Sequence, residues 1–277
     1  MAPGYGALAL AYDRLNRLRP RAGLGEDEVV AALGRLLGRQ GALDPWPRGD
    51  GAEARPLVLD LGCGSGELAL ALQAAGLDVV AVDGSPAMLQ QAQEKERSRR
   101  PDGTSPILWL CQDISRFELF GTVDAIVCMT DTLNHITDSR GLERLFRLCA
   151  NYLNPGAPML FDVLTRAHFT DTLGGRVRVE ADADAVLCWT NRFRPRTGLN
   201  RADLTFFLRR DDGLYERGDE TVRERLHSLS TLRSLARRNG LVVEGVYGER
   251  FGSPPGRRDR RRILVLRQSG KREDPTV

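Results

Sequence analysis

The chain has 277 residues, of which 42% are hydrophobic and 28% are charged, and its formal net charge is +3. This length suits one large domain or one domain with a sizeable insertion, and the small net charge argues against a dedicated nucleic-acid binder, which usually concentrates basic charge on one face. No run approaches the ~18 apolar residues that a membrane span requires, and the five cysteines form no CxxC pair, which predicts reduced thiols in a cytoplasmic protein.

The first 55 residues predict an N-terminal helical cap segment (residues 1–55). Apolar residues recur at helical spacing between Glu26 and Gly38, which predicts an amphipathic helix. Residues 41–55 are rich in proline, glycine and charge, and they therefore predict a loop that leads into the main domain.

Apolar strands and helices then alternate. The predicted strands are Leu57–Leu61, Asp78–Val82, 106–113, 123–130 and 157–164, and the predicted helices are Glu67–Ala75, 85–99 and Leu142–Leu153. This order predicts a parallel sheet with helices on both faces. The nearly continuous apolar character of the strands is typical of burial on both sides.

The pattern changes after Thr165. Residues 166–227 predict an antiparallel β insertion, with strands in "AVLCWTNRF" and "ADLTFFLRR" and a third strand that continues towards Arg225. A helix at Thr231–Asn239 and two strands at 241–248 and 261–268 complete a core made of residues 56–165 and 228–268. The predicted fold class is α/β, a Rossmann-like seven-stranded, mostly parallel sheet with an insertion after the fifth strand, and residues 269–277 predict a disordered tail.

The loop after the first strand, "DLGCGSGE", predicts a binding site. In an open parallel sheet, ligands bind beyond the carboxyl ends of the strands, and Gly62, Gly64 and Gly66 allow the backbone to touch a ligand there. The pattern is GxGxG and not the GxGxxG of dinucleotide loops, with Glu67 where the last dinucleotide glycine would fall. Because a carboxylate at this helix start would repel a pyrophosphate, the loop favours a ligand without phosphate.

Acidic residues at the ends of the next two strands indicate an adenosine. Asp83 can accept hydrogen bonds from both ribose hydroxyls, and Asp113 is positioned to receive the adenine amino group. Met88 and Ile114 can lie on the two sides of the ring. A ligand with an adenosine, no phosphate and a close backbone contact matches S-adenosylmethionine.

The motifs "VLDLGCGSG", "VVAVDGSPAML", "LCQDI", "DAIVCMTDTLNHI" and "LNPGAPMLFDV" resemble, in this order, those of class I S-adenosylmethionine-dependent methyltransferases. The resemblance covers residues 56–165 and the closing strands at 241–268. It implies an enzyme, a methyltransferase that uses S-adenosylmethionine, with the three glycines, Asp83 and Asp113 in the cofactor roles given above. It also implies that Asp60, at the end of the first strand, lies near the methionine amino group of the cofactor.

Two segments further resemble a subgroup of small bacterial, single-domain methyltransferases of this class. "YGALALAYDRLN" is similar to their N-terminal Tyr-Asp segment, which folds over the cofactor. The similarity implies that Tyr12 faces the methionine end, where an aromatic ring attracts the sulfonium cation; alternatively, Tyr5 and Tyr12 pack a helix onto the sheet. The predicted insertion corresponds in position to antiparallel strands that cover the active site in that subgroup.

The loop after the fourth strand, "MTDTLNHIT", is expected to hold the acceptor and the catalytic residues. His135 is the candidate general base, because histidine exchanges protons near neutral pH; the alternative is a structural histidine at a helix start. Asp131 is expected to orient an amine or to pair with an arginine, or alternatively to cap the following helix.

Other residues that often carry chemistry receive less weight. His168 and His227 stand alone near or inside the insertion and predict surface or structural roles. Asp131, Asn134 and Asp162 can supply the oxygen ligands of a metal site, but no spacing requires this, and no metal is expected.

The leading hypothesis is transfer of a methyl group to nitrogen or oxygen of a small-molecule acceptor, with no membrane partner. The runner-up is a tRNA or rRNA methyltransferase, which the arginine content and "RRDRRR" at 257–262 favour if that run contacts phosphate and is not simply a solvated loop. A third hypothesis is a non-catalytic regulatory protein that binds S-adenosylmethionine.

Overall fold

The computed structural model of this chain describes residues 12–15, 24–38, 55–174 and 177–270. Its helices are α1 (Glu26–Leu36), α2 (Glu67–Ala74), α3 (Pro86–Arg99), α4 (Ser139–Tyr152) and α5 (Leu229–Arg238). Its strands are β1 (Leu57–Leu61), β2 (Asp78–Asp83), β3 (Leu108–Cys111), β4 (Ala125–Cys128), β5 (Pro158–Leu164), β6 (Val177–Ala181), β7 (Ala185–Arg194), β8 (Leu199–Arg209), β9 (Tyr215–Arg225), β10 (Leu241–Tyr247) and β11 (Arg261–Gln268). None of the helices within these ranges has the length and apolar character to cross a membrane.

Seven strands form one sheet in the order β10-β11-β5-β4-β1-β2-β3. Strands β3, β2, β1, β4 and β5 pair in parallel, whereas β11 runs antiparallel between β5 and β10. This confirms the predicted Rossmann-like, mostly parallel sheet. Strand order reverses between β1 and β4, and ligands of such sheets bind in the crevice beyond the strand ends at this point.

Helices cover both faces of the sheet. On one face, α4 and α5 pack against the central strands in an apolar cluster that includes Leu59 and Phe146. On the other face, α1 and α2 pack in a second cluster that includes Leu33 and Val58. Neighbouring residues of β1 enter different clusters because successive side chains of a strand point to opposite faces.

Local signals position α3 after β2. Ser85 caps the helix by accepting a hydrogen bond from a main-chain amide in its first turn, as the sequence predicts. Further along α3, the buried carboxylate of Glu96 accepts hydrogen bonds from the Ile107 amide at 2.8 Å and the Trp109 ring nitrogen at 2.7 Å. These bonds hold α3 against β3 and place Trp109 beside the loop that follows β1.

The insertion forms a separate antiparallel sheet in the order β6-β7-β8-β9. Strands β7, β8 and β9 confirm the predicted insertion after the fifth strand. Two elements were not predicted, the edge strand β6 and a π-helix at His168–Leu173. Because every residue of β6 is exposed or only partly buried, its sequence lacks the apolar run that marks a buried strand.

Candidate active site

The glycine loop lies where the carboxyl ends of β1 and β2 meet. Gly62, Gly64 and Gly66 have φ values of 73°, 54° and 85°, in the left-handed region that other residues disfavour. A Cβ atom at Gly62 would overlap Thr132, and one at Gly66 would lie 2.7 Å from the Cβ of Ala92. Among the described residues, nothing lies within 4 Å of the equivalent point at Gly64. Two glycines therefore permit close packing of the protein, and Gly64 leaves its backbone open to a ligand.

Asp83 ends β2 beside this loop. Its Oδ2 accepts a hydrogen bond from the Gly64 amide at 2.9 Å, and its Oδ1 accepts one from the Ser85 amide at 2.8 Å. Burial raises the pKa of Asp83, and these amides oppose the rise. Each carboxylate oxygen can accept a further hydrogen bond, which is the capacity that two ribose hydroxyls require.

Asp60 is the penultimate residue of β1 and is 2% exposed. Its Oδ2 has no hydrogen-bond partner within the part of the chain that the structure describes. Burial, and to a smaller extent the charge of Asp83, raises the pKa of Asp60 to about 7. Because a buried carboxylate oxygen without a partner is unfavourable, this site suits a ligand with a cationic amino group, which S-adenosylmethionine carries.

The residues predicted to contact adenine lie at the end of β3 and the start of α3. Burial raises the pKa of Asp113, but hydrogen bonds from the amide and hydroxyl of Ser115, each 2.8 Å long, outweigh it and lower the pKa, so the side chain stays ionised. Met88 is buried, and Ile114 is partly buried against the apolar cluster around Leu59. Contact of these side chains with an adenine ring stays a prediction.

The N-terminal segment is anchored beside the glycine loop. Asp13 accepts a hydrogen bond from the Ser65 hydroxyl at 2.5 Å and forms an ion pair with Lys95. Lys95 Nζ also lies 2.7 Å from a carboxylate oxygen of Glu67, and Arg99 lies 3.1 Å from the other. The charge of Glu67 is therefore offset, and Glu67 is a weaker obstacle to phosphate than the sequence suggested. A ligand without phosphate is instead favoured by the acidic side chains at the ends of β1 and β2.

Tyr12 packs against the second sheet. Together with Leu15 it contacts an apolar cluster formed by inward-facing residues of β7 and β8, such as Leu187 and Phe206. This contact favours the packing interpretation of Tyr12, although the sheet concerned is the insertion. Tyr5 lies outside the described residues, and contact of Tyr12 with the methionine end of the cofactor stays a prediction.

The acceptor loop, defined here as residues 129–136, follows β4. Thr130 and Asp131 have φ values of 60° and 58°, which are uncommon for residues other than glycine. The Asp131 amide donates a hydrogen bond to Asp162 Oδ1 at 2.9 Å, and a 3₁₀ helix at Thr132–His135 follows directly. Strained backbone held by its surroundings is concentrated at functional sites, which supports the predicted role of this loop.

Arg261 of β11 joins two acidic residues beneath the acceptor loop. Its guanidinium pairs with Asp162 and lies 3.0 Å from Asp131 Oδ1. Burial by itself lowers the pKa of Arg261, but the two carboxylates outweigh it and raise the pKa, so the group stays charged. Asp131 therefore pairs with an arginine, one of its predicted roles, and makes no side-chain capping bond.

The sequence did not identify Arg261, because it lies in the basic run at 257–262. In the structure Arg261 is 5% exposed, Arg260 lies 3.3 Å from Glu249, and Arg262 donates a hydrogen bond to the Gly256 carbonyl. The run is therefore not one exposed basic patch. One signal in the sequence could have identified Arg261. It is the first residue of a predicted apolar strand, where a buried charge needs a partner of opposite charge.

The 3₁₀ helix connects the acceptor loop to the insertion. Asn134 is fully buried, donates a hydrogen bond to the Arg225 carbonyl at 2.8 Å, and accepts one from the Leu164 amide at 2.9 Å. His227 Nε2 lies 3.2 Å from the Leu133 carbonyl oxygen, and burial lowers the pKa of His227. These contacts support a structural role for His227 and occupy the polar atoms of Asn134, which was a candidate metal ligand.

His135 lies at the end of the 3₁₀ helix, close to two acidic side chains. Its Nε2 is 3.9 Å from Asp131 Oδ2. Single ligand atoms of Asp131, His135 and Glu224 all lie within 4.8 Å of one another. Glu224, from β9, was not predicted, because nothing near it in the sequence marks it. Chemically, this group can bind a cation or transfer a proton.

His168 opens the π-helix. Its ring contacts Phe169 edge-on, with 5.7 Å between ring centroids. Burial lowers the pKa of His168 to about 4, so the ring is neutral at neutral pH. These features support the structural role predicted for it.

Comparison with known proteins identifies similar chains. The family model described as a methyltransferase domain matches residues 58–156. A protein of Geobacillus sp. (strain WCH70) with a provisional methyltransferase name is 26% identical over 264 residues, which cover 95% of this chain and 99% of the relative. The cypemycin N-terminal methyltransferase of Streptomyces sp. is 30% identical over 222 residues, 76% of this chain and 84% of the relative. The crystal structure of an S-adenosylmethionine-dependent methyltransferase from Clostridium acetobutylicum ATCC 824 superposes with a TM-score of 0.79 at 25% identity, covering 96% of this chain and 99% of that chain.

Proposed function

Because this chain belongs to the class I S-adenosylmethionine-dependent methyltransferases, we propose that it methylates nitrogen or oxygen of a small-molecule acceptor. The observation that carries the proposal is the connection of the insertion to the acceptor loop. Asn134 is bonded to Arg225 of β9, and His227 lies against Leu133, so the second sheet is fixed beside the site. A site bounded by this second sheet suits a compact acceptor better than a long polymer.

The proposed cofactor contacts follow from the geometry beyond β1 and β2. Asp83 would bind the ribose hydroxyls, Asp60 the amino group of the methionine part, and Asp113 the adenine amino group. Gly64 would allow the ligand to approach the main chain. When bound, S-adenosylmethionine supplies an electrophilic methyl carbon on a positively charged sulfur, so the protein has mainly to align the acceptor and exclude water.

Asp131 and His135 are proposed to act on the acceptor. Arg261 neutralises part of the charge of Asp131 and fixes its position, which favours a role in orienting the acceptor. His135, 3.9 Å away, is proposed as the general base for an acceptor that arrives protonated. A name among the relatives, the cypemycin N-terminal methyltransferase, supports a nitrogen acceptor of that kind.

The alternative of an RNA acceptor receives less support. The only concentrated basic run, at 257–262, includes one buried arginine and one that is paired with Glu249. A phosphate backbone would also approach acidic side chains at the acceptor loop, which is unfavourable. The alternative of a non-catalytic protein does not account for the strained backbone of Thr130 and Asp131 beside the cofactor site, because such strain is concentrated at functional sites.

Incubation of the purified protein with methyl-labelled S-adenosylmethionine and separated metabolite and RNA fractions tests the proposal. We expect label in the metabolite fraction, and the variant Asp83→Ala to lose it, because removal of a hydrogen-bonded carboxylate weakens cofactor binding by about 1–3 kcal/mol. Label only in RNA, or tight cofactor binding with no labelled product in any fraction, would overturn the proposal in favour of one of the two alternatives.

A further inference from the structure

The inner face of the second sheet changes from apolar to polar along its length. Ala185, Leu187, Leu204 and Phe206 form an apolar cluster at one end of this face. Side chains alternate along a strand, so Asn191 of β7 and Asn200 of β8 lie on the same face as this cluster, as does Glu224 of β9. Asn200 and Glu224 are directly opposite each other in the pairing of β8 with β9.

The three polar side chains form one buried cluster. Asn191, Asn200 and Glu224 are 3%, 2% and 9% exposed. Asn200 Nδ2 donates hydrogen bonds to Asn191 Oδ1 at 3.0 Å and to Glu224 Oε2 at 2.9 Å. We refer to these residues as the insertion triad.

The triad retains hydrogen-bonding capacity that the described protein does not use. Asn200 Oδ1 and Asn191 Nδ2 are buried and have no hydrogen-bond partner among the described residues. An unsatisfied buried polar group costs on the order of 1–3 kcal/mol, and most buried polar groups are therefore paired. An unused acceptor and an unused donor on two side chains that are hydrogen-bonded to each other indicate that a polar ligand completes this cluster.

The triad lies beside the acceptor loop. One carboxylate oxygen of Glu224 is within 4.8 Å of ligand atoms of both Asp131 and His135. At the other end of the 3₁₀ helix, the Thr132 hydroxyl is 3.5 Å from the Gly62 carbonyl oxygen. A single helical turn thus separates the glycine loop from the triad, and this spacing suits an acceptor held next to a bound cofactor.

Acidic side chains are concentrated between the acceptor loop and the insertion triad. The carboxylates of Asp131, Asp162 and Glu224 lie in one connected group, and Arg261 pairs with Asp131 and Asp162. Partly buried charges interact strongly because solvent does not screen them fully. A positively charged ligand group is therefore favoured, and a phosphate or carboxylate is disfavoured.

We propose that the insertion triad, with Asp131 and His135 opposite, forms a binding site for the amino group of the acceptor, so that this enzyme methylates an amine nitrogen. The proposal rests on the proposed function, because it presupposes a methyl acceptor beside the cofactor. An ammonium group has three N–H donors, and Glu224, Asp131 and Asn200 Oδ1 supply acceptors for them. Asn191 Nδ2 is left as a donor for an oxygen atom of the same acceptor.

The chemistry of the step agrees with this site. The ammonium gives one proton to His135, the proposed general base; the nitrogen lone pair then forms the bond to the methyl carbon, and the electrons of the carbon–sulfur bond stay on sulfur. The positive charge thereby moves from sulfur to nitrogen. The carboxylates stabilise the charge on nitrogen, before the proton leaves and again after transfer.

Two cofactor analogues test the site by calorimetry, without turnover. S-adenosylhomocysteine ends at a neutral sulfur, whereas sinefungin carries an amine on a carbon that replaces the methylated sulfur. We expect the variant Glu224→Gln, which keeps the shape of the side chain, to weaken sinefungin binding about tenfold and to leave S-adenosylhomocysteine binding unchanged. Glu216→Gln on the exposed end of β9 is the matched control and should change neither affinity.

A second measurement locates the methyl group in the labelled product by fragmentation mass spectrometry. Label on an amine nitrogen supports the proposal, and label on oxygen overturns it. Equal effects of Glu224→Gln on both analogues, or no effect on either, also overturn it. If the wild-type protein binds neither analogue, the proposed function itself fails.

A divalent metal ion is the alternative ligand for this site, and manganese titration followed by electron paramagnetic resonance tests for it. Asp131, His135 and Glu224 have a donor set that a divalent cation accepts. Manganese binding that Glu224→Gln abolishes, together with loss of methyl transfer on chelation, would replace the amine site by a metal site. Unchanged transfer in the presence of a chelator supports the amine.

Discussion

The seven-stranded sheet and the four-stranded sheet build their parts of the site in different ways. On the first sheet the main chain dominates, and the Gly64 amide meets the Asp83 carboxylate across only 19 positions in the chain. On the second sheet, side chains dominate and their partners are remote in the sequence. Asn134 meets Arg225 of β9 across 91 positions. The acceptor side of the first sheet shares this feature, since Arg261 of β11 meets Asp131 across 130 positions.

This difference determines how well each part of the site tolerates substitution. A site made from main-chain conformation cannot be altered without changing φ angles or close packing, so its substitutions affect folding as well as binding. A site made from side chains on a stable sheet can be altered one residue at a time. We therefore expect acceptor preference to be easier to change than cofactor preference.

The largest effect is expected at Arg261, where a side chain on the acceptor side also stabilises the fold. Arg261→Met leaves Asp162 buried without its partner, and the free energy of unfolding should fall by about 3–5 kcal/mol. Denaturant unfolding at pH 7 measures this. Arg260→Met is the control, because its pair with Glu249 is partly exposed and should contribute at most about 1 kcal/mol. Equal decreases in the free energy of unfolding of the two variants would show that the buried pair of Arg261 and Asp162 adds no more stability than an exposed pair.

The second largest effect is expected at Asp60, on the cofactor side, and it is a change in stability with pH. The pKa of Asp60 is about 7 in the folded protein and near 3.8 when unfolded, so the folded state binds the proton more tightly. The free energy of unfolding of the ligand-free wild type, relative to Asp60→Asn, should therefore fall by about 2–4 kcal/mol as pH rises from 4 to 8. Urea unfolding over this range measures the difference.

Asp113→Asn is the matched control for this pH dependence. The pKa of Asp113 is lowered in the folded protein, so its contribution to stability is present above its unfolded pKa and is lost as pH falls. The two variants should therefore show opposite slopes. A wild-type difference from Asp60→Asn that does not vary with pH would refute the raised pKa of Asp60.

The smallest effects on stability are expected for alanine substitutions at Gly66 and Gly64, and these two variants should differ in cofactor binding. Gly66→Ala should lower the free energy of unfolding by about 2–3 kcal/mol, because its methyl group meets Ala92 at 2.7 Å and φ is 85°. Gly64→Ala should lose only about 1 kcal/mol, from backbone strain alone, yet weaken S-adenosylhomocysteine binding at least about tenfold. Thermal unfolding and calorimetry measure the two quantities. Unchanged binding by Gly64→Ala would mean that the ligand does not approach this part of the loop.

The fold and the cofactor side could be predicted because their signals are local in the sequence. The glycines at 62, 64 and 66, the acid at the end of β2 and the Ser85 cap each act within a few residues of the elements they define. Strands that are buried on both faces can also be predicted from local sequence, because each is a nearly continuous apolar run. The predicted roles of these residues towards the cofactor still await the binding measurements above.

The sequence predicted the acceptor loop with Asp131 and His135, but it did not identify the residues around them, because their roles depend on partners that are remote in the chain. Glu224 resembles any acidic residue of an exposed strand until Asn200 is seen opposite it. Arg261 resembles its basic neighbours until β11 is placed beside Asp162. The edge strand β6 was missed for a related reason, since it is identified by its pairing with β7 and not by an apolar run.

Because Arg261 lies on the last strand, the ion pairs that hold the acceptor loop are completed late in synthesis on the ribosome. A nascent chain acquires the glycine loop, Asp60 and Asp83 early, and so possesses the cofactor elements while Asp162 is still without its guanidinium. Strand β11 must emerge from the exit tunnel and insert between β5 and β10 before the acceptor loop is held in place. A translating polypeptide therefore holds the residues proposed to bind the methyl donor before its acceptor loop can be completed.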